Sequence, residues 1–105
     1  MSVLEKVRKM REAYAGVKIG SGSVRAIILI SMRLKGKEKK KELEIAKEIS
    51  KIPFVKKAWV VAGEWDIALL VESDMATLSD FVLKKLRDIE EVEKTKTIFI
   101  FEEFS

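Results

Sequence analysis

Cysteine and histidine are both absent from this 105-residue chain. Without cysteine there is no disulfide framework, no thiolate nucleophile and no sulfur-ligated metal, and nothing asks for an oxidising compartment. Without histidine, the commonest general base near neutral pH is missing, as are Ser-His arrangements and the usual imidazole ligands. No apolar run is long enough to span a bilayer or act as a signal sequence, and the opening Met1-Ser2-Val3-Leu4-Glu5-Lys6 mixes charge among its apolar residues. Together these absences describe a cytoplasmic protein without cofactor or membrane partner that is not an enzyme.

What remains suits one small domain. Hydrophobic residues make up 48% of the chain and charged residues 36%, the balance of a packed core under an ionised surface. A net charge of +4 and a pI of about 9.3 raise the alternative of a basic nucleic-acid-binding domain. Against it, the charged run from Lys35 to Lys47 interleaves Glu38, Glu42 and Glu44 with its lysines and contains no aromatic residue. That pattern reads as a solvated helix rather than an RNA surface.

Val3, Val7, Met10, Tyr14 and Val17 recur at helical spacing, so residues 3–15 are expected to form a helix. Gly20-Ser21-Gly22-Ser23 follows as a flexible joint, dividing an N-terminal helix and linker (1–23) from a main domain (24–105). Residues 24–34 are β-branched and apolar on both alternations, a strand covered on both faces. Lys35-Gly36-Lys37 breaks it, and Leu43, Ala46 and Ile49 mark a helix that stops before Pro53, the single proline. Residues 55–62 and 66–72 form a hairpin around Gly63-Glu64-Trp65. Ser73-Asp74 caps a helix running from Met75 through Leu78, Val82 and Leu86 to Ile89, and residues 92–101 supply the last strand. The order β-α-β-β-α-β gives an α+β, ferredoxin-like fold with a four-stranded antiparallel sheet plus an N-terminal helix. Ile52, Val55 and Lys57 match Ile89, Val92 and Lys94 as Ile-x-x-Val-x-Lys, an echo between two βαβ halves.

Helices cover one face of such a sheet, and the other should turn polar if it meets water. Here it does not: Ile27 and Leu29 oppose Ile28 and Ile30, Ile98 and Ile100 oppose Thr97 and Phe99, and Trp59 and Val61 oppose Ala58 and Val60. A large apolar side chain gains roughly 1.5–3 kcal/mol on burial, so that face is expected to pack against a second copy through a two-fold axis. The other way to cover it is for the N-terminal helix to fold back.

Acid-base candidates near a turn reduce to Glu64 and Asp66, and Gly-Glu-x-Asp in a hairpin reads first as a solvated turn. A more specific signal comes from longer stretches. Val61-Ala62-Gly63-Glu64-Trp65-Asp66-Ile67-Ala68-Leu69-Leu70-Val71, then Ser73-Asp74-Met75 opening a helix, then Val92-Glu93-Lys94-Thr95-Lys96-Thr97 opening the last strand, resemble the effector-binding (RAM) domain of the Lrp/AsnC feast/famine regulators over residues 24–104. Residues 1–23 do not hold the helix-turn-helix that usually precedes this domain, so the resemblance is to a stand-alone RAM protein.

The resemblance implies an amino acid effector bound in a cleft between dimers, homodimers paired through their sheets, higher oligomers such as octamers, and assembly with DNA-binding Lrp/AsnC relatives. By the family pattern Gly63, Glu64, Trp65 and Asp66 line the cleft, Asp66 takes the ligand's ammonium and Gly63 lets the backbone approach. Met75 stands where side-chain selectivity is expected, and Thr95, Thr97, Ile98 and Ile100 come from the last strand, from a neighbouring subunit. Each also has a plainer role: Asp66 as a hairpin cap, Met75 as core filler, the threonines as strand formers. Ala62 and Trp65 depart from the family's usual threonine and tyrosine or phenylalanine, which removes hydroxyls a polar ligand could use.

Overall fold

Strand β1, Val24–Met32, is the spine of the sheet, and its alternation explains why. Ala26, Ile28 and Ile30 are completely buried on one side, while Ile27 and Leu29 on the other are only half-buried. A computed structural model describes residues 1–17, 23–34 and 39–105. Most of the expected Gly/Ser joint and the Lys35-Gly36-Lys37 break lie outside the described residues.

The elements in chain order are α1 (Val3–Ala13), β1, α2 (Lys39–Ile49), β2 (Val55–Val60), β3 (Ile67–Ser73), α3 (Met75–Asp80, continuing as a π-helical stretch over Phe81–Leu86) and β4 (Val92–Phe99). The sheet order is β2-β3-β1-β4, antiparallel throughout. This is the expected α+β, ferredoxin-like sheet with its extra N-terminal helix. β1, β2 and β4 end two residues sooner than the apolar pattern does, because Arg33, Val61 and Ile100 lie beyond the last paired positions, whereas β3 runs one residue further than expected, to Ser73.

In register, Ile28 faces Leu69 on β3 and Thr97 on β4, and Ile30 faces Ile67 and Thr95. These residues point toward the helices. Phe54, Phe81, Ile45, Ile49 and Leu86 close the core over them, all at most 2% exposed. The stripe of α2 is Ile45, Ala46 and Ile49; Leu43, expected inside, projects to solvent at 58% exposure. The place is taken by Glu42 and Glu48, both buried. Glu42 pairs with Lys39, and Glu48 with Arg8 and Arg11 of α1 and with Lys51. Asp74 caps α3 by accepting from Thr77 N–H at 3.0 Å, and the Thr77 hydroxyl at 2.7 Å, together with that N–H, holds its carboxyl below the usual range.

Helix α1 opens on a Ser2 cap and lays Val3, Val7, Met10 and Tyr14 into the same core. It sits among the helices, not on the far side of the sheet. The outer face, with Ile27, Leu29, Leu70, Ile98 and the 43%-exposed Trp59, is therefore left uncovered by the chain's own helix.

Candidate functional site

The turn between β2 and β3 is built to a fixed shape. Val61 N–H donates to the Asp66 carbonyl and Asp66 N–H to the Ile30 carbonyl, both at 2.9 Å, so each end of the turn is pinned. Between them Gly63 has φ +116°, a conformation that L side chains rarely adopt. Beyond its two chain neighbours, no atom of the described residues lies within 4 Å of where a Cβ would sit, so backbone conformation and not crowding selects glycine there.

Asp66 does more than cap a hairpin. The β1–β4 register slips between Ser31 and Met32, which frees the Met32 N–H from the strand pairing, and the Asp66 carboxylate accepts it through Oδ2 at 2.7 Å. The same residues line a cavity of about 420 Å³ with Ser31, Met32, Leu34, Lys39, Glu42, Ala62, Gly63, Glu64 and Glu93. Among the described residues its carboxylates, Glu42, Glu64, Asp66 and Glu93, outnumber its lysine, Lys39. Lys39 is itself engaged by Glu42 at 2.9 Å and by the Val61 carbonyl at 3.3 Å. Such a lining favours a cationic group such as an ammonium. No cluster of Asp and Glu suited to holding a metal occurs among the described residues.

The expected site residues fall into three places. Gly63, Glu64 and Asp66 share the cavity just described. Trp65 is half-buried beside it, with Lys94 Nζ 5.1 Å from the ring centre, and Thr95 stands at the same end of the sheet opposite Ile30. Thr97 and Ile98 occupy the middle of β4 on opposite faces, Thr97 beside Ile28 toward the helices and Ile98 beside Ile27 on the outer face. Met75 and Ile100 belong to the far end. Met75 begins α3 at 49% exposure, so it is not core filler, and Ile100 N–H donates to the Arg25 carbonyl. Between Asp66 and Met75 runs the whole of β3, about 23 Å at 3.3 Å per residue.

Sequence reasoning passed over two residues at this end. Ser31 is 7% exposed and lines the cavity, and Lys94 pairs with Glu64 at 3.3 Å. The available signal was cross-strand register, because Ser31 and Lys94 are partners on β1 and β4, and register follows from strand pairing rather than from local pattern.

With this geometry in hand, the comparisons with known proteins are consistent among themselves. The model for the Lrp/AsnC ligand binding domain matches residues 25–105. An uncharacterised helix-turn-helix type transcriptional regulator of Pyrococcus furiosus is 44% identical over 59 residues, which is 55% of this chain and 39% of that one. The chain thus spans well under half of that relative's length. A hypothetical protein of Pyrococcus horikoshii, solved as a crystal structure, is 34% identical with a TM-score of 0.61, covering 76% of this chain and 92% of its own. A feast or famine regulatory protein from M. tuberculosis, solved with L-methionine, is 25% identical with a TM-score of 0.54, covering 78% of this chain and 52% of its own. The family is one of regulators that bind ligands, not of enzymes. This chain belongs to the Lrp/AsnC ligand-binding domain family.

Proposed function

We propose that this chain is a cytoplasmic amino-acid-sensing and assembly module of the Lrp/AsnC type. It binds a free amino acid in a cleft between copies and modulates transcription by associating with DNA-binding relatives. The observation that carries this reading is the division of its candidate residues. Gly63, Glu64 and Asp66 lie at one end of the sheet and Met75 and Ile100 at the other, with the length of β3 between them. A single chain cannot bring both groups to one ligand, whereas two copies placed end to end can.

The uncovered outer face supports the same reading. Ile27, Leu29, Leu70, Ile98 and Trp59 form an apolar patch on a sheet whose other side is the core. Such a surface suits a two-fold partner with the same residues. Dimers paired in this way then meet at the ends of their sheets, where rings such as octamers close. An excess of carboxylates in the cavity suits an ammonium, with Asp66 as its acceptor. No helix among the described residues is long and apolar enough to cross a membrane.

Light scattering with and without each of the twenty amino acids tests the proposal, read together with tryptophan fluorescence. The expected outcome is a dimer or larger species whose mass or stability changes with one or a few amino acids, because ligand affinity and assembly are then linked. A monomer whose mass, melting temperature and fluorescence ignore all twenty would refute it.

A further inference from the structure

Lys94 holds two parts of the turn at once. Its ammonium lies 3.3 Å from Glu64 Oε1 and 5.1 Å from the centre of the Trp65 ring. Both partners of the ion pair are largely exposed, with side-chain exposures of 47% for Lys94 and 68% for Glu64. Exposed pairs of this kind are weak and readily exchanged. A carboxylate presented by a ligand can take the place of Glu64 on Lys94 at little cost.

Ser31 provides a second, independent observation. It is 93% buried by its 7% exposure, it lines the cavity, and it is the register partner of Lys94. Among the described residues no side-chain hydrogen bond engages its hydroxyl, and the residue lines the cavity. Asp66 lies on the other side of Ser31, since its N–H is bonded to the carbonyl of the preceding residue, Ile30. One Asp66 oxygen, Oδ2, is used on Met32 N–H, which leaves Oδ1 to accept another donor. Cation, hydroxyl and carboxylate thus stand in sequence along one end of the sheet.

We propose that Lys94 and Ser31 receive the carboxylate of an α-amino acid while Asp66 Oδ1 receives its ammonium, and that Glu64 occupies Lys94 as an internal substitute which the ligand displaces. This rests on the amino-acid reading above and adds the half of the site that Asp66 leaves unexplained. It also gives the turn a mechanism of response. When Lys94 turns to the ligand it leaves both Glu64 and the Trp65 ring, so binding releases the turn that borders the cavity.

The test uses the full chain and follows tryptophan fluorescence during titration with the twenty L-amino acids and their carboxamides, which keep the ammonium but lose the carboxylate. The wild type is expected to prefer an amino acid over its amide by about tenfold, the scale of one charge-assisted hydrogen bond. Lys94→Met removes that preference, and Ser31→Ala reduces it. Glu64→Gln works in the opposite direction, tightening the acid by about threefold and leaving the amide unchanged, because the competitor is gone. Circular dichroism identifies any variant that fails to fold, and the Glu64→Gln arm then decides alone. Retention of the acid preference in Lys94→Met, or weaker binding in Glu64→Gln, overturns the proposal while the amino-acid reading survives. Absence of binding by any amino acid overturns both.

Discussion

Tyr14 donates its hydroxyl hydrogen to the Asp80 carboxylate at 2.6 Å, joining helix α1 to α3 directly above Phe54 and Phe81. The three rings pack edge to face, with centroids 5.0 Å (Tyr14–Phe54), 5.9 Å (Tyr14–Phe81) and 5.1 Å (Phe54–Phe81) apart. Aromatic packing fixes the helix, and the hydrogen bond fixes its rotation.

Burial pushes the Tyr14 hydroxyl well above the usual tyrosine range, reinforced by the hydrogen bond to Asp80 and by that residue's charge. The folded form therefore favours protonated Tyr14. Its contribution is complete below about pH 10, the value of an unfolded tyrosine, and is lost as pH rises above it. Tyr14→Phe is expected to lower stability by about 1 kcal/mol, or about 5 °C in melting temperature. It should also remove part of the alkaline decline, as measured by thermal melts from pH 7 to 11.

Glu48 has the opposite sign. Burial disfavours its charge, but hydrogen bonds from Arg8 and Lys51 and the charges of Lys51 and Arg11 outweigh this and hold its carboxyl below the usual range. A depressed carboxylate contributes above its unfolded value, near 4.5, and the contribution disappears as pH falls through the folded value. Glu48→Gln should cost about 1 kcal/mol at pH 7 and flatten the acid limb of the stability profile below pH 4.5. Denaturant titrations at pH 3 and pH 7 provide the comparison, and equal losses at both would contradict it.

Leu70→Lys places a charge in the middle of the uncovered outer face without touching the core. The expected result is a smaller species in light scattering with an unchanged circular dichroism spectrum, since a buried unpaired charge at a dimer interface is strongly unfavourable. An unchanged assembly would exclude that face as the contact.

Asp66→Asn keeps an acceptor for Met32 N–H and removes the charge. Loss of any amino-acid response with a melting temperature within a few degrees of wild type is expected. A variant that still responds with full affinity would move the ammonium site away from Asp66. A gel-shift titration on duplex DNA and on RNA separates the basic-domain alternative, which demands binding that weakens steeply with salt.

The strands were legible because Val24–Met32 is β-branched and apolar on both alternations over a full strand length, and the topology followed from element order. Leu43 misled the reading of α2, because helical spacing alone does not say that salt-bridged Glu42 and Glu48 can displace an apolar residue from the buried side. The π-helical stretch at Phe81–Leu86 carries no sequence mark and arises where Phe81, Val82 and Leu86 all turn into the core. At the candidate site, Gly63, Glu64 and Asp66 are adjacent in sequence and were visible as a motif. Ser31 and Lys94 reach the same place from two other strands, and only pairing brings them there.

The position of α1 has a practical consequence for handling the protein. Family resemblance begins at residue 25, but Phe54 and Phe81 depend on Tyr14 for their cover. An expression boundary drawn where the resemblance starts would leave an oily trough in water, and the trimmed product should clump. The stretch that evolution makes recognisable is shorter than the stretch that physics requires.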